Sequence, residues 1–283
     1  MVKKKKETEP QYLNSVTNMP TYNYRVYHMK KLEKLMYFVI AFSVGAMVGY
    51  LFYGGIGKNE YGDPTAITYF LNITIPSIIG AAAGIAFVPI RRKQIIAKHK
   101  KKISGQFRDM LEALDTSLGA GKNVTDSFYA VYDDMKRQYE EDAHIIEELE
   151  VILSGIANNF PIEQLLEDFG KRTDNEDIQD FANVFNVCYR KGGNIKDTVR
   201  NTHAILSEKM EIAEDIETLV TSNKLEQNLM LVIPVALIGV IKLMSPEFAE
   251  NFTTPTGIAS TTIAIIIFVI SYFVGKAVLN IKI

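Results

Sequence analysis

Two short strings hold residue types whose spacing could support chemistry. Thr116–Asn123, TSLGAGKN, has the glycines and lysine of a phosphate-cradling loop, G-x-x-x-x-G-K-[ST], whose backbone N–H groups hold phosphate while the closing hydroxyl holds Mg²⁺. Thr116 stands where that loop has its first glycine, and Asn123 stands where it has Ser or Thr. A helical pattern precedes it, whereas the loop needs a strand. Nucleotide binding is not expected there. Glu140–Glu150, EEDAHIIEELE, contains Glu141-x-x-His144, half of the pattern by which a helical bundle holds two iron ions. The other half must come from a second helix, and His203 has Arg200 at the matching place. The string reads as a solvated acidic helical face.

Other reactive constellations are missing. No Ser-His-Asp order and no paired His/Cys metal spacing occurs, and the sole cysteine, Cys188, reads as a reduced structural thiol. The expectation is a protein that is not an enzyme, with no catalytic residue, cofactor or metal. What remains is a surface for partners. Residues 103–228 carry 12 Lys/Arg against 26 Asp/Glu, a formal charge of −14. Such a domain repels nucleic acid and suits a partner with a basic face. Glu140, Glu141, Asp142, Glu147 and Glu148 form the candidate partner-binding face.

The elements that must position that face begin in lipid. Four segments are almost uncharged: Leu35–Ile56, Ile67–Ile90, Leu229–Met244 and Ile258–Ile281. A span needs about 20 apolar residues to cross roughly 30 Å of hydrocarbon. The third segment is the weakest, because Lys242 interrupts it. It can borrow length from the preceding helix while Lys242 snorkels to the far interface. Residues 1–34 hold eight Lys/Arg and Arg91–Lys102 hold seven, whereas loops 57–66 and 245–257 together hold only Lys58. Basic residues beside spans stay cytoplasmic and are drawn to anionic lipids. Both termini, Ile283 included, and residues 91–228 are thereby expected in the cytoplasm, with Ser245–Gly257 outside. The division expected is a basic N-terminal segment 1–34, a transmembrane hairpin 35–90, a helical domain 91–228 and a second hairpin 229–283.

The domain itself reads as all-α. Apolar residues recur every three or four positions: Phe107, Met110, Leu111, Leu114 and Leu118; then Phe128, Val131, Tyr132 and Met135; then Ile145, Ile146, Leu149, Ile152 and Leu153. Further stripes are Leu165, Leu166 and Phe169 after Pro161, and Phe181, Val184, Phe185 and Cys188. Gly119 and Gly121 can end the first helix, Asn123 or Thr125 can cap the second, and Gly192-Gly193-Asn194 separates the fifth from a sixth running to about Leu225. Six helices with short loops predict an antiparallel bundle between the two hairpins. In the spans, Gly45-x-x-x-Gly49 and Gly80-x-x-x-Gly84 predict close helix packing.

Two blocks carry a resemblance. QFRDMLEALDTSLGAGKNVTDSF (Gln106–Phe128) resembles the first conserved block of the type II secretion system F domain, and DFANVFNVCYRKGGNIKDTV (Asp180–Val199) resembles its second. KLEQNLMLVIP (Lys224–Pro234) is similar to that family's entry into a membrane segment. The layout and length resemble the platform proteins of tight-adherence pili. The sixth helix departs from them: SEKMEIAEDIETL is acidic where they are often arginine-rich, and Thr221-Ser222-Asn223 replace small residues. The resemblance implies an inner-membrane platform, homo- or hetero-oligomeric with a paralogous platform protein. It would couple a cytoplasmic secretion ATPase to pilin assembly and have no catalytic residues of its own. The competing reading is a four-span permease or channel subunit, for which Asn72, Thr74 and Ser77 are the main polar candidates. The spans contain no Asp or Glu, the usual mark of an ion pathway.

Overall fold

The computed structural model describes residues 9–59 and 63–279. The ends of the chain, with Ile281 and Ile283, lie outside the described residues. A short antiparallel pair, β1 (Tyr12–Asn14) and β2 (Pro20–Tyr22), comes first, with Tyr12 opposite Tyr22. Helices follow: α1 (Lys31–Tyr53), α2 (Ala66–Gly119), α3 (Val124–Gln138), α4 (His144–Ala157), α5 (Ile162–Thr173), α6 (Glu176–Lys191), α7 (Ile195–Met244), α8 (Pro246–Asn251) and α9 (Pro255–Leu279). Apart from β1 and β2 the described chain is all-α. Among the described residues four helices, α1, α2, α7 and α9, are long and apolar enough to cross a membrane. The chain is a multi-pass membrane protein.

Two compact units divide it. One joins the N-terminal segment through His28 to Arg92–Ile212; the other comprises Met29–Arg91 and Ala213–Ile283. Helices α2 and α7 contribute to both. In the first unit the periodic stripes close on one core. Phe107, Met110, Leu111 and Leu114 of α2 are fully buried with Phe128 and Val131 of α3, Ile145 and Leu149 of α4 and Phe169 of α5. Phe107 meets Phe169 and Phe181 edge-on, with centroids 6.0 and 5.5 Å apart, a favoured geometry for ring quadrupoles. Burying each such side chain is worth about 1.5–3 kcal/mol. Helix α6 turns differently from its sequence stripe: Phe181 and Phe185 are buried with Ile178 and Ala182, but Val184 is 49% exposed. The buried face has the same i, i+3, i+4, i+7 spacing as the stripe 181, 184, 185 and 188 but starts three residues earlier. Ile178 and Ala182 complete that face instead.

Two turns in this unit use one device. The sequences Gly121-Lys122-Asn123-Val124-Thr125-Asp126 and Gly192-Gly193-Asn194-Ile195-Lys196-Asp197 share the pattern G-x-N, apolar, x, D. Gly121 (φ 87°) and Gly192 (φ 72°) take the left-handed conformation that ends a helix. Asn123 Oδ1 then accepts from Asp126 N at 2.8 Å, and Asn194 Oδ1 from Asp197 N at 3.3 Å, which satisfies an orphan donor of the next helix. Of the glycine pair, Gly192 takes the turn. Gly193 stays outside the left-handed region and donates its N–H to Cys188 O at 2.7 Å.

In the second unit small residues sit where α1 meets α2. A Cβ on Gly45 would lie 2.8 Å from Ala83 Cβ, and one on Gly80 would lie 2.7 Å from Phe42 O. A Cβ on Gly84 would lie 2.6 Å from the Phe38 ring, and one on Gly49 would lie 3.1 Å from Pro76 Cα. In lipid no hydrophobic drive joins helices, so such close van der Waals contact matters most. Lys242, near the end of α7, does not simply extend outward. Its Nζ donates to Leu51 O at 2.7 Å and to Phe52 O at 3.4 Å, and lies 4.4 Å from the Phe252 ring centroid. Those carbonyls belong to the last turn of α1 and lack intrahelical partners. The lysine therefore ties the third span to the first. Tyr53 Oη and Thr262 Oγ1, 3.0 Å apart, join α1 to α9.

Candidate interaction face

The acidic string enters α4 from a turn rather than lying wholly on a helix. Glu140, Glu141 and Asp142 precede α4 and are exposed; the Glu141 side chain is 89% accessible, with Lys136 at 3.8 Å. Glu147 lies in the first turn of α4, where a carboxylate favours the helix dipole. Its Oε2 is 4.0 Å from Nδ1 of His144. Three of these four residues lie in the turn before α4 and the fourth in its first turn.

Glu148 does not belong with them. It is 1% exposed and points into the unit, and its assignment to the partner face is corrected here. Arg172 of α5, 5% exposed, grips it with both arms: Nη1 to Oε1 at 2.8 Å and Nη2 to Oε2 at 2.7 Å. Arg172 Nε also donates to Asp168 Oδ2 at 2.8 Å, and Tyr24 Oη donates to Glu148 Oε1 at 3.3 Å. Burial pushes the Glu148 carboxyl up, and the guanidinium pulls it back. Each polar atom of the pair faces a partner, as a buried pair requires. Nothing in the sequence marks residues 148 and 172 as partners. Both positions fall on the core-facing period of their helices, Glu148 three residues after Ile145 and Arg172 three after Phe169, but their charge reads as surface until tertiary packing pairs them.

Tyr24 reaches this pair because residues 9–28 of the N-terminal segment belong to the same compact unit. Its β-pair places Tyr22 and Tyr24 on the unit. Tyr24 is buried and Tyr22 Oη lies 2.9 Å from His99 Nδ1 of α2. The rings of Tyr22, Tyr24 and His99 surround His144, with centroids 5.0, 5.3 and 5.4 Å away. Arg25 Nη2 donates to Lys171 O at 2.8 Å. Tyr22 ends β2 and Tyr24 lies in the turn after it, so no strand period marks the pair in the sequence. Burial, then the neighbouring His99 and Lys102, hold the His144 imidazole down at about 4. Burial likewise pushes the Tyr22 phenol up to about 12. Both rings are thus neutral at ordinary pH and serve as packing.

As for chemistry, Glu141 and His144 do not converge on a common point. The former pairs with Lys136 and the latter is enclosed by rings. Among the described residues no group of three or more His, Cys, Asp or Glu side chains could hold a metal ion. The TSLGAGKN string forms the end of α2, the Gly121 turn and the Asn123 cap. No protein-family model, curated protein or solved structure matches the chain.

Proposed function

We propose that the chain is a platform protein of a tight-adherence-type pilus or related type II secretion machine. In this reading it couples a cytoplasmic secretion ATPase to the assembly of pilin subunits. Two membrane hairpins, 35–90 and 229–283, flank a cytoplasmic six-helix antiparallel bundle, with both termini inside. The observation that carries the reading is that α2 and α7 each run unbroken from a candidate span into the helical unit. A force applied to that unit is carried along α7, whose backbone ladder meets no proline before Pro234, whereas Pro76 and Pro89 each remove one bond from the ladder of α2. Further support comes from the two blocks that resemble the F domain, since each folds as helix, left-handed glycine, asparagine cap and helix. The face built from Glu140, Glu141, Asp142 and Glu147 is offered to a basic surface of the ATPase, with a paralogous platform protein and pilins as the other partners.

The permease or channel reading finds less to stand on. Asn72 Oδ1 accepts from Gly55 N at 2.8 Å, and Thr74 Oγ1 donates to Phe70 O at 2.7 Å, so both side chains serve local backbone. Affinity isolation of the tagged chain from native membranes tests the proposal. A hexameric ATPase and pilin-like subunits should co-purify. Isolation that yields neither, together with solute flux in reconstituted vesicles, overturns it.

A further inference from the structure

The second unit contains a groove that no part of the platform reading uses. Between α7 and α9 lies a mostly apolar cavity of about 500 Å³ whose polar end is lined by Asn223, Glu226, Gln227, Ser271 and Tyr272. A second cavity of about 590 Å³, almost wholly apolar, shares Leu231, Phe268 and Tyr272 with the first. It extends past Pro234 and Ile265 toward Val48 and Phe52 of α1. Both lie within one unit. The polar end falls just before the apolar run Leu229–Ile241 of α7, where a span meets the membrane surface.

Ligand sites typically enclose about 300–1,000 Å³ with apolar walls and a few placed polar groups. A transmembrane helix does not fit. At about 10 Å across and 1.5 Å per residue it fills roughly 120 Å³ per residue, so the cavities would take about four and about five residues, well short of a span. A flexible acyl chain does fit, and lipid surrounds these helices. The polar end holds one charge. Glu226 makes no ion pair among the described residues, and neither Lys224 nor Lys276 lines the groove. A carboxylate beside amide and hydroxyl donors is complementary to a headgroup that pairs an ammonium group with a phosphate. Gln227 Nε2 already donates to Tyr272 O at 3.3 Å, which leaves Asn223, Ser271 and the Tyr272 hydroxyl for the phosphate.

We propose that this groove binds one phospholipid whose headgroup carries an ammonium group. The headgroup sits at Glu226 and one acyl chain runs into the apolar cavity. The inference does not depend on the platform reading. Because the chain has no tryptophan, Phe268→Trp, at the wall shared by the two cavities, gives a single reporter. The full-length variant is placed in nanodiscs of phosphatidylglycerol, and phosphatidylethanolamine or phosphatidylglycerol with brominated chains is titrated in. Brominated phosphatidylethanolamine should quench at about two- to fivefold lower mole fraction, the factor one partly exposed ion pair gives. Adding Glu226→Gln should bring the two quenching curves together while the emission maximum stays fixed. Equal curves before that change show ordinary surrounding lipid and overturn the proposal. So does a reporter that neither lipid quenches, the mark of a polypeptide occupying the groove.

Discussion

Removing either member of the Glu148–Arg172 pair strands a buried charge. Arg172→Ala or Glu148→Ala should cost about 3–5 kcal/mol, the usual penalty for breaking a buried pair, read as a large loss of melting temperature in detergent. Replacing both together by apolar residues should cost clearly less. A second residue sets a pH dependence. The folded value for His144, about 4, lies below its ordinary 6.5. Between those values the unfolded chain binds the extra proton, so stability is complete above about pH 6.5 and declines as pH falls toward 4. An imidazolium there would face His99 and Lys102 of α2, the Tyr22 and Tyr24 rings, and Glu147 and Asp142 beside it. Melting at pH 7 and pH 5 should therefore differ more for the native chain than for His144→Gln. Equal differences would show that other groups carry the acid sensitivity.

Helices and turns were the part most legible in the sequence, because local rules govern them. The stripes through Phe107, Leu114, Phe128, Leu149 and Phe169 mark buried faces, and Asn123 caps α3. Val184 misled because apolar type alone does not say which of two adjacent helical positions faces in. The β1–β2 segment went unread because each strand has three residues, too few for a period to stand out. Its docking depends on Tyr24 meeting a pair from α4 and α5. Glu148 sits at a core-facing position of α4, and its charge alone marks it as surface until Arg172 is seen to pair with it. At this scale the glycine turn makes a sharp comparison. Gly192→Val should destabilise by about 1–2 kcal/mol, because a β-carbon opposes positive φ. Gly192→Asn should cost less, since Asn tolerates that conformation. A chain whose melting is unmoved by Gly192→Val would contradict the cap. Gly80→Leu, against Phe42 O, should separate α1 from α2 and abolish a disulfide engineered between those helices.

For the molecule as a whole, sidedness is the first question. In a Cys188→Ser background, a cysteine at Glu250, in α8, should react in intact cells with an impermeant thiol reagent. One at Lys282, outside the described residues, should not. The reverse pattern would refute the proposed four-span orientation. Charge is the second. Exposed ion pairs contribute only about 0.2–1 kcal/mol each and act mainly on encounter, so Glu147→Lys alone should change partner binding little. A cluster reversal must leave Glu148 in place, because reversing it would break the buried pair instead of testing the surface. The proposed docking of a cytoplasmic secretion ATPase on the acidic start of α4 is tested by calorimetry between the full-length chain in nanodiscs and the cognate ATPase, at low and high salt. Native protein should bind at low salt and weaken severalfold at high salt. The reversal of Glu140, Glu141, Asp142 and Glu147 to lysine should bind severalfold more weakly at low salt with its melting temperature retained. Salt-independent affinity, with the reversed chain binding like the native one, would contradict it.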